Sequence, residues 1–182
     1  MTLPPHSLEP NQTKMKQTII DRKVRIHAPK QKVWDTLADF GNVYKLSPNL
    51  QSSHSTSELK SGLGAERHCD FTAMGAEVEE RITEWNEGES MKIDIYESKK
   101  IPMIAGMGAF FTVKSEGEFT VLSGTFQYHM TNPLGNLLNN LAMKKANIKN
   151  WEQFMAGIKH HVETGEDVIE QTSLNTAVVE AF

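Results

Sequence analysis

A single cysteine, Cys69, leaves this chain no internal disulfide and no multi-cysteine zinc site. That economy suits a reducing compartment, and a cytoplasmic location is expected. Long apolar runs are missing too. Nothing approaches the roughly 18 residues of a membrane-spanning helix. Residues 1–16 hold prolines and polar groups rather than the apolar centre of a secretory signal. Positive charge is not in surplus: Lys and Arg number 19 against 23 Asp and Glu. The acidic excess sits wholly in Glu166, Asp167, Glu170 and Glu180, so residues 1–165 are electrically neutral. Phosphate backbones need a concentrated positive field, which argues against a nucleic-acid partner and for a neutral or apolar ligand. No glycine-rich loop joins a strand to a helix as a phosphate cradle requires. Among the 7 histidines, His160 and His161 are helix neighbours whose side chains diverge by about 100°. His68 and His129 fall on outward strand positions. The pattern implies no metal and no cofactor.

What is present is alternation. Residues 18–28 place Ile20, Arg22, Val24 and Ile26 on one face of a first strand. Pro29 stops it and opens a helix over 30–40, with Val33, Trp34, Leu37 and Phe40 in one stripe. A short helical piece over 43–46 leads to the turn Ser47-Pro48-Asn49. Strands are predicted over 50–59, 65–73, 76–85, 91–97, 109–114 and 119–130, mostly joined by hairpin-length connections. The exception is 98–108, a Gly- and Pro-bearing loop with Ile101, Met103 and Ile104, which reads as a gate to a binding site.

Asn132 can cap, and Pro133 can start, a final helix of about 30 residues ending at Gly165. Leu134, Leu137, Leu138, Leu141, Ile148, Trp151, Met155, Ile158 and Val162 form its stripe. At about 45 Å it outruns every strand, so it crosses the sheet diagonally or overhangs it. The layout is thus a disordered leader at 1–16, one domain at 17–165 and a flexible acidic tail at 166–182. The fold class is α+β: a curved antiparallel sheet of about six to seven strands wrapped on a long C-terminal helix, with two short helices after the first strand. So few covering side chains leave a cavity beneath the helix.

This pattern resembles the helix-grip, START-like superfamily (SRPBCC), in its polyketide cyclase/dehydrase-like branch. Three stretches carry the resemblance: Ala28-Pro29 before Val33-Trp34-Asp35-Thr36-Leu37-Ala38-Asp39-Phe40, then Gly64-Ala65-Glu66-Arg67, then Glu80-Arg81-Ile82-Thr83-Glu84-Trp85. It spans about residues 18–163. Two departures stand out: Tyr44-Lys45-Leu46-Ser47-Pro48 replaces a Trp-bearing motif, and Gly124 replaces a large residue, which should enlarge the cavity. The superfamily includes cyclases, dehydrases, lipid-transfer domains, the birch-pollen allergen class and plant hormone receptors. The resemblance therefore implies a hydrophobic ligand such as a lipid, polyketide or aromatic compound, bound or transported, or cyclised or dehydrated.

The candidate polar spot is Arg67 with Glu80, on one face of consecutive strands where cross-strand neighbours lie about 5 Å apart. Family members turn the equivalent pair toward the pocket. Two readings stand: a buried ion pair that fixes the sheet, or contacts to a ligand carbonyl or carboxylate, with Glu80 as a base in the enzymatic version. Tyr128, inward on the last strand, is the third candidate catalytic group; the alternative is a core aromatic with a satisfied hydroxyl. The expected apolar wall comprises Cys69, Phe71, Val78, Ile82, Ile93 and Ile95 from the middle strands. Met107, Phe111, Gly124, Phe126 and Met130 follow on the later ones. Trp34, Leu141, Ile148, Trp151 and Met155 come from helices. Cys69 reads as a small core residue without an inward histidine to activate it. A third possibility, an interaction module, rests on the acidic tail.

Overall fold

The computed structural model describes residues 17–101 and 103–182; the expected leader lies outside them. Strand β1 (Gln17–Ile26) is followed by helix α1 (Lys30–Ala38) and a 3₁₀ segment, Phe40–Leu46. Five hairpin-linked strands come next: β2 (Leu50–Ser55), β3 (Glu66–Phe71), β4 (Glu77–Asn86), β5 (Ser90–Lys99) and β6 (Ile104–Glu116). Strand β7 (Phe119–Met130) leads into helix α2 (Pro133–Leu138), a π-helical turn at Asn139–Met143, and helix α3 (Lys144–Thr164). The chain closes with a 3₁₀ turn, Thr176–Val178, and strand β8 (Val179–Ala181).

All these strands form one antiparallel sheet in the order β2-β3-β4-β5-β6-β7-β1-β8. The fold is the expected helix-grip arrangement, with eight strands rather than six to seven. Alternation decides which side is covered. Ile20, Val24 and Ile26 of β1, Ile82 of β4, Met91 of β5 and Leu122 of β7 are buried under the helices. The charged exception on β1, Arg22, reaches across to α3, its Nε donating to Glu152 at 2.8 Å. Trp34 of α1 packs on Trp85 with ring centroids 4.8 Å apart. The two indole N–H groups donate to the two oxygens of Glu87 in the β4–β5 turn, each at 2.8 Å. α3 approaches the 3₁₀ segment so closely that a Cβ on Gly157 would stand 2.1 Å from the Leu46 carbonyl oxygen.

Three expectations are corrected. The tail is not a loose end. Val168 is buried beside Gly157, its N–H donates to the Lys45 carbonyl at 2.8 Å, and β8 pairs with β1 from Arg22 to Val24. A three-residue strand is too short to show periodicity, but β1 would otherwise leave its outer backbone groups unpaired. The 98–108 gate is mostly strand, since β5 runs to Lys99 and β6 begins at Ile104. Its glycines mark a bulge: the β6–β7 register shifts between Ala105 and Gly108, and Gly106 takes φ 55° against the His129 ring. Finally, the leucine stripe of the last helix is not continuous. Ile158 and Val162 are buried, whereas Leu134, Leu137, Leu138 and Leu141 are exposed. The inward face of α2 and the π-turn carries Gly135 and Asn139 instead, both buried. A Cβ on Gly135 would meet Met130 at 3.1 Å, so a larger residue there would require Met130 to shift.

Candidate functional site

β3 and β4 set Arg67 opposite Glu80 and Cys69 opposite Val78. The pleat turns all four toward α3. Arg67 Nε donates to Glu80 Oε2 in an ion pair, and its Nη1 donates to the Phe40 carbonyl at 2.9 Å. The guanidinium also lies 3.9 Å above the centre of the Phe40 ring. The Cys69 thiol donates to the same Glu80 oxygen at 3.6 Å. Arg67 is 7% and Glu80 9% exposed. Two charges persist at that depth because each is paired and the cation has further hydrogen-bond and ring contacts. Burial, reinforced by the Glu80 carboxylate, pushes the Cys69 thiol far above its ordinary range. The sulfur is therefore held protonated, which rules out the thiolate a nucleophile needs.

This pair lines a cavity of about 370 Å³ between the sheet and the N-terminal half of α3. That is within the range of about 300–1,000 Å³ usual for small-molecule sites. Of the residues expected on the apolar wall, Cys69, Phe71, Val78, Ile93 and Ile95 line it, as do Met107, Phe111, Phe126 and Trp151. Trp151 is the hub of an aromatic cluster, with ring centroids 5.5 Å from Phe111, 5.6 Å from Phe126 and 5.5 Å from Phe154.

Other expected positions are placed elsewhere. Gly124 does not open space. A Cβ there would lie 2.9 Å from both Trp151 and Met155, and the Trp151 indole N–H donates to the Gly124 carbonyl at 3.1 Å. The missing side chain seats the helix rather than enlarging the cavity, and Met155 is spent in that seat. Tyr128 is fully buried but does not line the cavity. Its hydroxyl donates to Asn139 Oδ1 at 2.6 Å, and Asn139 Nδ2 donates to Thr18 at 3.0 Å. Met130 packs under Gly135, Ile82 lies in the core and Trp34 is held by Trp85 and Glu87. Ile148 is half-buried against the core, away from the cavity, and Leu141 is 73% exposed.

Sequence reading missed the polar lining of α3. Asn147 and Asn150 face the cavity, and the Asn147 Nδ2 is buried without a hydrogen-bond partner among the described residues. Asparagines in a long helix read as solvated positions, so no signal marked them. Val43 and Leu50 were also missed, because the segments around the 3₁₀ turn are too short for periodicity. Ala73 and Ala76 of the β3–β4 turn and Ile101 and Ile104 of the β5–β6 turn form the rim. The same two turns hold Met74, Lys100 and Met103 at φ 56°, 57° and 62°. Left-handed backbone is uncommon outside glycine and gathers at functional sites.

A family model described as "Polyketide cyclase / dehydrase and lipid transport" matches residues 17–163. The chain belongs to this family. Solved structures at low identity share the fold. TTHA0849 from Thermus thermophilus superposes with a TM-score of 0.66 at 21% identity, covering 80% of this chain and 97% of that one. Ara h 8.0201 gives 0.61 at 14%, covering 81% and 98%. XoxI from Bacillus cereus gives 0.61 at 15%, covering 81% and 96%. No curated protein matches the chain. No helix among the described residues is long and apolar enough to cross a membrane.

Proposed function

We propose that this member of the family binds, and carries, a hydrophobic small molecule that bears a polar oxygen. The observation that supports this most is the cavity itself: an apolar, aromatic-rich space with the buried Arg67–Glu80 pair and the side chains of Asn147 and Asn150 on its wall. An apolar space holding few polar groups is the usual composition of a ligand site. Polar groups on that wall, Arg67, Asn147 and Asn150, suit a guest with a carbonyl or hydroxyl oxygen, because leaving them against a purely apolar guest would carry a desolvation cost.

The cyclase or dehydratase reading retains only Arg67 and Glu80. Tyr128 is bonded to Asn139 away from the cavity, and Cys69 is held as a thiol. Arg67 is occupied by Glu80 and the Phe40 carbonyl, which favours a fixed binding wall over a proton-moving set. Native mass spectrometry of the purified protein, with thermal shift against fatty acids, isoprenoid alcohols and aromatic ketones, tests the proposal. A co-purifying molecule or a shift with one class is expected, and Ala109→Trp, which fills the cavity, should remove it. An empty protein that shifts with none of them overturns the proposal. Turnover that Glu80→Gln abolishes while affinity persists would establish the enzyme instead.

A further inference from the structure

The leucines that leave the core are not scattered. Leu134, Leu137, Leu138 and Leu141 follow helical spacing and make one ridge on α2 and the π-turn, on the flank turned away from Gly135 and Asn139. Leu134 is 61%, Leu137 56% and Leu141 73% exposed. Contiguous apolar surface of this kind marks an interaction site.

Its position is specific. Asn147 and Asn150, on the cavity wall, lie about two turns along the same helix, about 9–14 Å beyond Leu141. The Thr131 N–H donates to the Met103 carbonyl at 2.9 Å, which fixes the start of α2 against the β5–β6 turn on the cavity rim. The neighbouring β3–β4 turn carries Met74, also exposed, and Lys100 Nζ would stand 3.1 Å from a Cβ on Gly75, so the two turns touch.

Charge distinguishes the occupant. No Asp or Glu occurs from Phe119 to Trp151, whereas Lys144, Lys145 and Lys149 follow the ridge and are exposed, as are Lys99 and Lys100 on the rim. Lys99 is bridged to Glu77 at 3.0 Å. On the rim the charge of Lys99 is offset by Glu77 and Glu97, so the local positive charge beside the apolar ridge is that of Lys144, Lys145 and Lys149. A second copy docked by two-fold symmetry would bring both sets of lysines to one seam, an arrangement opposed by like-charge repulsion. An anionic bilayer offers both matching halves: headgroups for the lysines and acyl chains for the leucines.

We propose that this face docks on anionic phospholipid membranes, so that the cavity mouth opens toward the lipid from which a ligand is taken or to which it is delivered. Docking needs only the ridge and the lysines. The delivery role rests on the cavity reading above.

Flotation of the full chain with phosphatidylcholine vesicles, with and without about one-third phosphatidylglycerol, tests it. Binding to the anionic vesicles alone is expected, weakening as salt rises. Leu137→Glu with Leu141→Glu should lower partitioning roughly tenfold or more. Lys144→Glu with Lys145→Glu should also lower it roughly tenfold or more. All four positions are exposed, so folding is retained, and the thermal shift with the fatty-acid panel reports the cavity separately. Absence of flotation, or flotation unchanged in both variants, overturns the docking. A dimer in light scattering that the leucine variant dissolves assigns the ridge to a second copy and overturns it equally. Flotation without any thermal shift leaves docking standing and removes delivery.

Discussion

β3 and β4 carry two charged clusters one residue apart, on opposite faces of the same pair of strands. Arg67 faces Glu80 on the helix side, and His68 faces Glu79 on the other. Both make short contacts, but their surroundings differ. The inner pair sits beneath Phe40 and α3, with the cavity beside it. Outside, His68 Nδ1 lies 2.6 Å from Glu79 and Nε2 3.1 Å from Asp70, while the Ser52 hydroxyl donates to Asp70 at 2.5 Å. That chain of groups is larger than the inner pair, yet water reaches its edges. Contact distance alone therefore does not explain how far apart these clusters stand in consequence. What separates them is the cost of leaving one member behind.

The largest effect should come from breaking the inner pair. Arg67→Ala leaves the Glu80 carboxylate buried and unpaired, and urea unfolding should show a loss of about 3–5 kcal/mol. Replacing both, as Arg67→Met with Glu80→Leu, should return stability to within about 1 kcal/mol of the native chain or above it. Recovery of stability without recovery of ligand affinity would show that the pair is kept for the cavity.

On the outer face, His68→Gln should cost about 1 kcal/mol near pH 6. The Glu79 hydrogen bond, with Asp70 on the other nitrogen, holds the His68 pKa above its ordinary 6.5 against the opposing effect of burial. A raised folded value means stability that is fully present below 6.5 and lost as pH rises through that value. The gap between native and His68→Gln should therefore narrow as pH rises above 6.5 and through the raised folded value. A constant gap would mean the imidazole contributes packing alone. Asp70 has the opposite sign. The Ser52 hydroxyl, then His68, lowers its pKa below 3.8, so its contribution is present above that value and lost in acid. Ser52→Ala should be the mildest change, about 0.5 kcal/mol, visible as an earlier onset of acid unfolding.

Much of this was legible in the residues. Period-two alternation fixed both faces of β3 and β4, including the inward Arg67 and Glu80 and the outward His68. What escaped had local physical causes. Gly106 and Gly108 read as loop residues because a bulge and a loop use glycine alike. Gly124 reads as space in a strand, but Trp151, 27 residues later, occupies it. The leucines from 134 to 141 read as core, because nothing in their spacing announces that Gly135 and Asn139 take the inward face. There the decisive partner is the Tyr128 hydroxyl, which needs an acceptor at depth. Asn147 escaped because a helical asparagine looks solvated until the surrounding walls are known.

The sheet order has a consequence for biosynthesis. β1 is made first, but its two neighbours, β7 and β8, are made late: Gln17 pairs with His129, and Val24 pairs with Leu122 on one side and Val179 on the other. The ladder beside β1 thus closes a loop of about a hundred residues, the kind of distant contact that slows folding. While the ribosome is still working, Ile20, Val24 and Ile26 have no sheet to join. The outer edge of that strand stays unpaired until Val179–Ala181 has emerged and paired with Arg22–Val24.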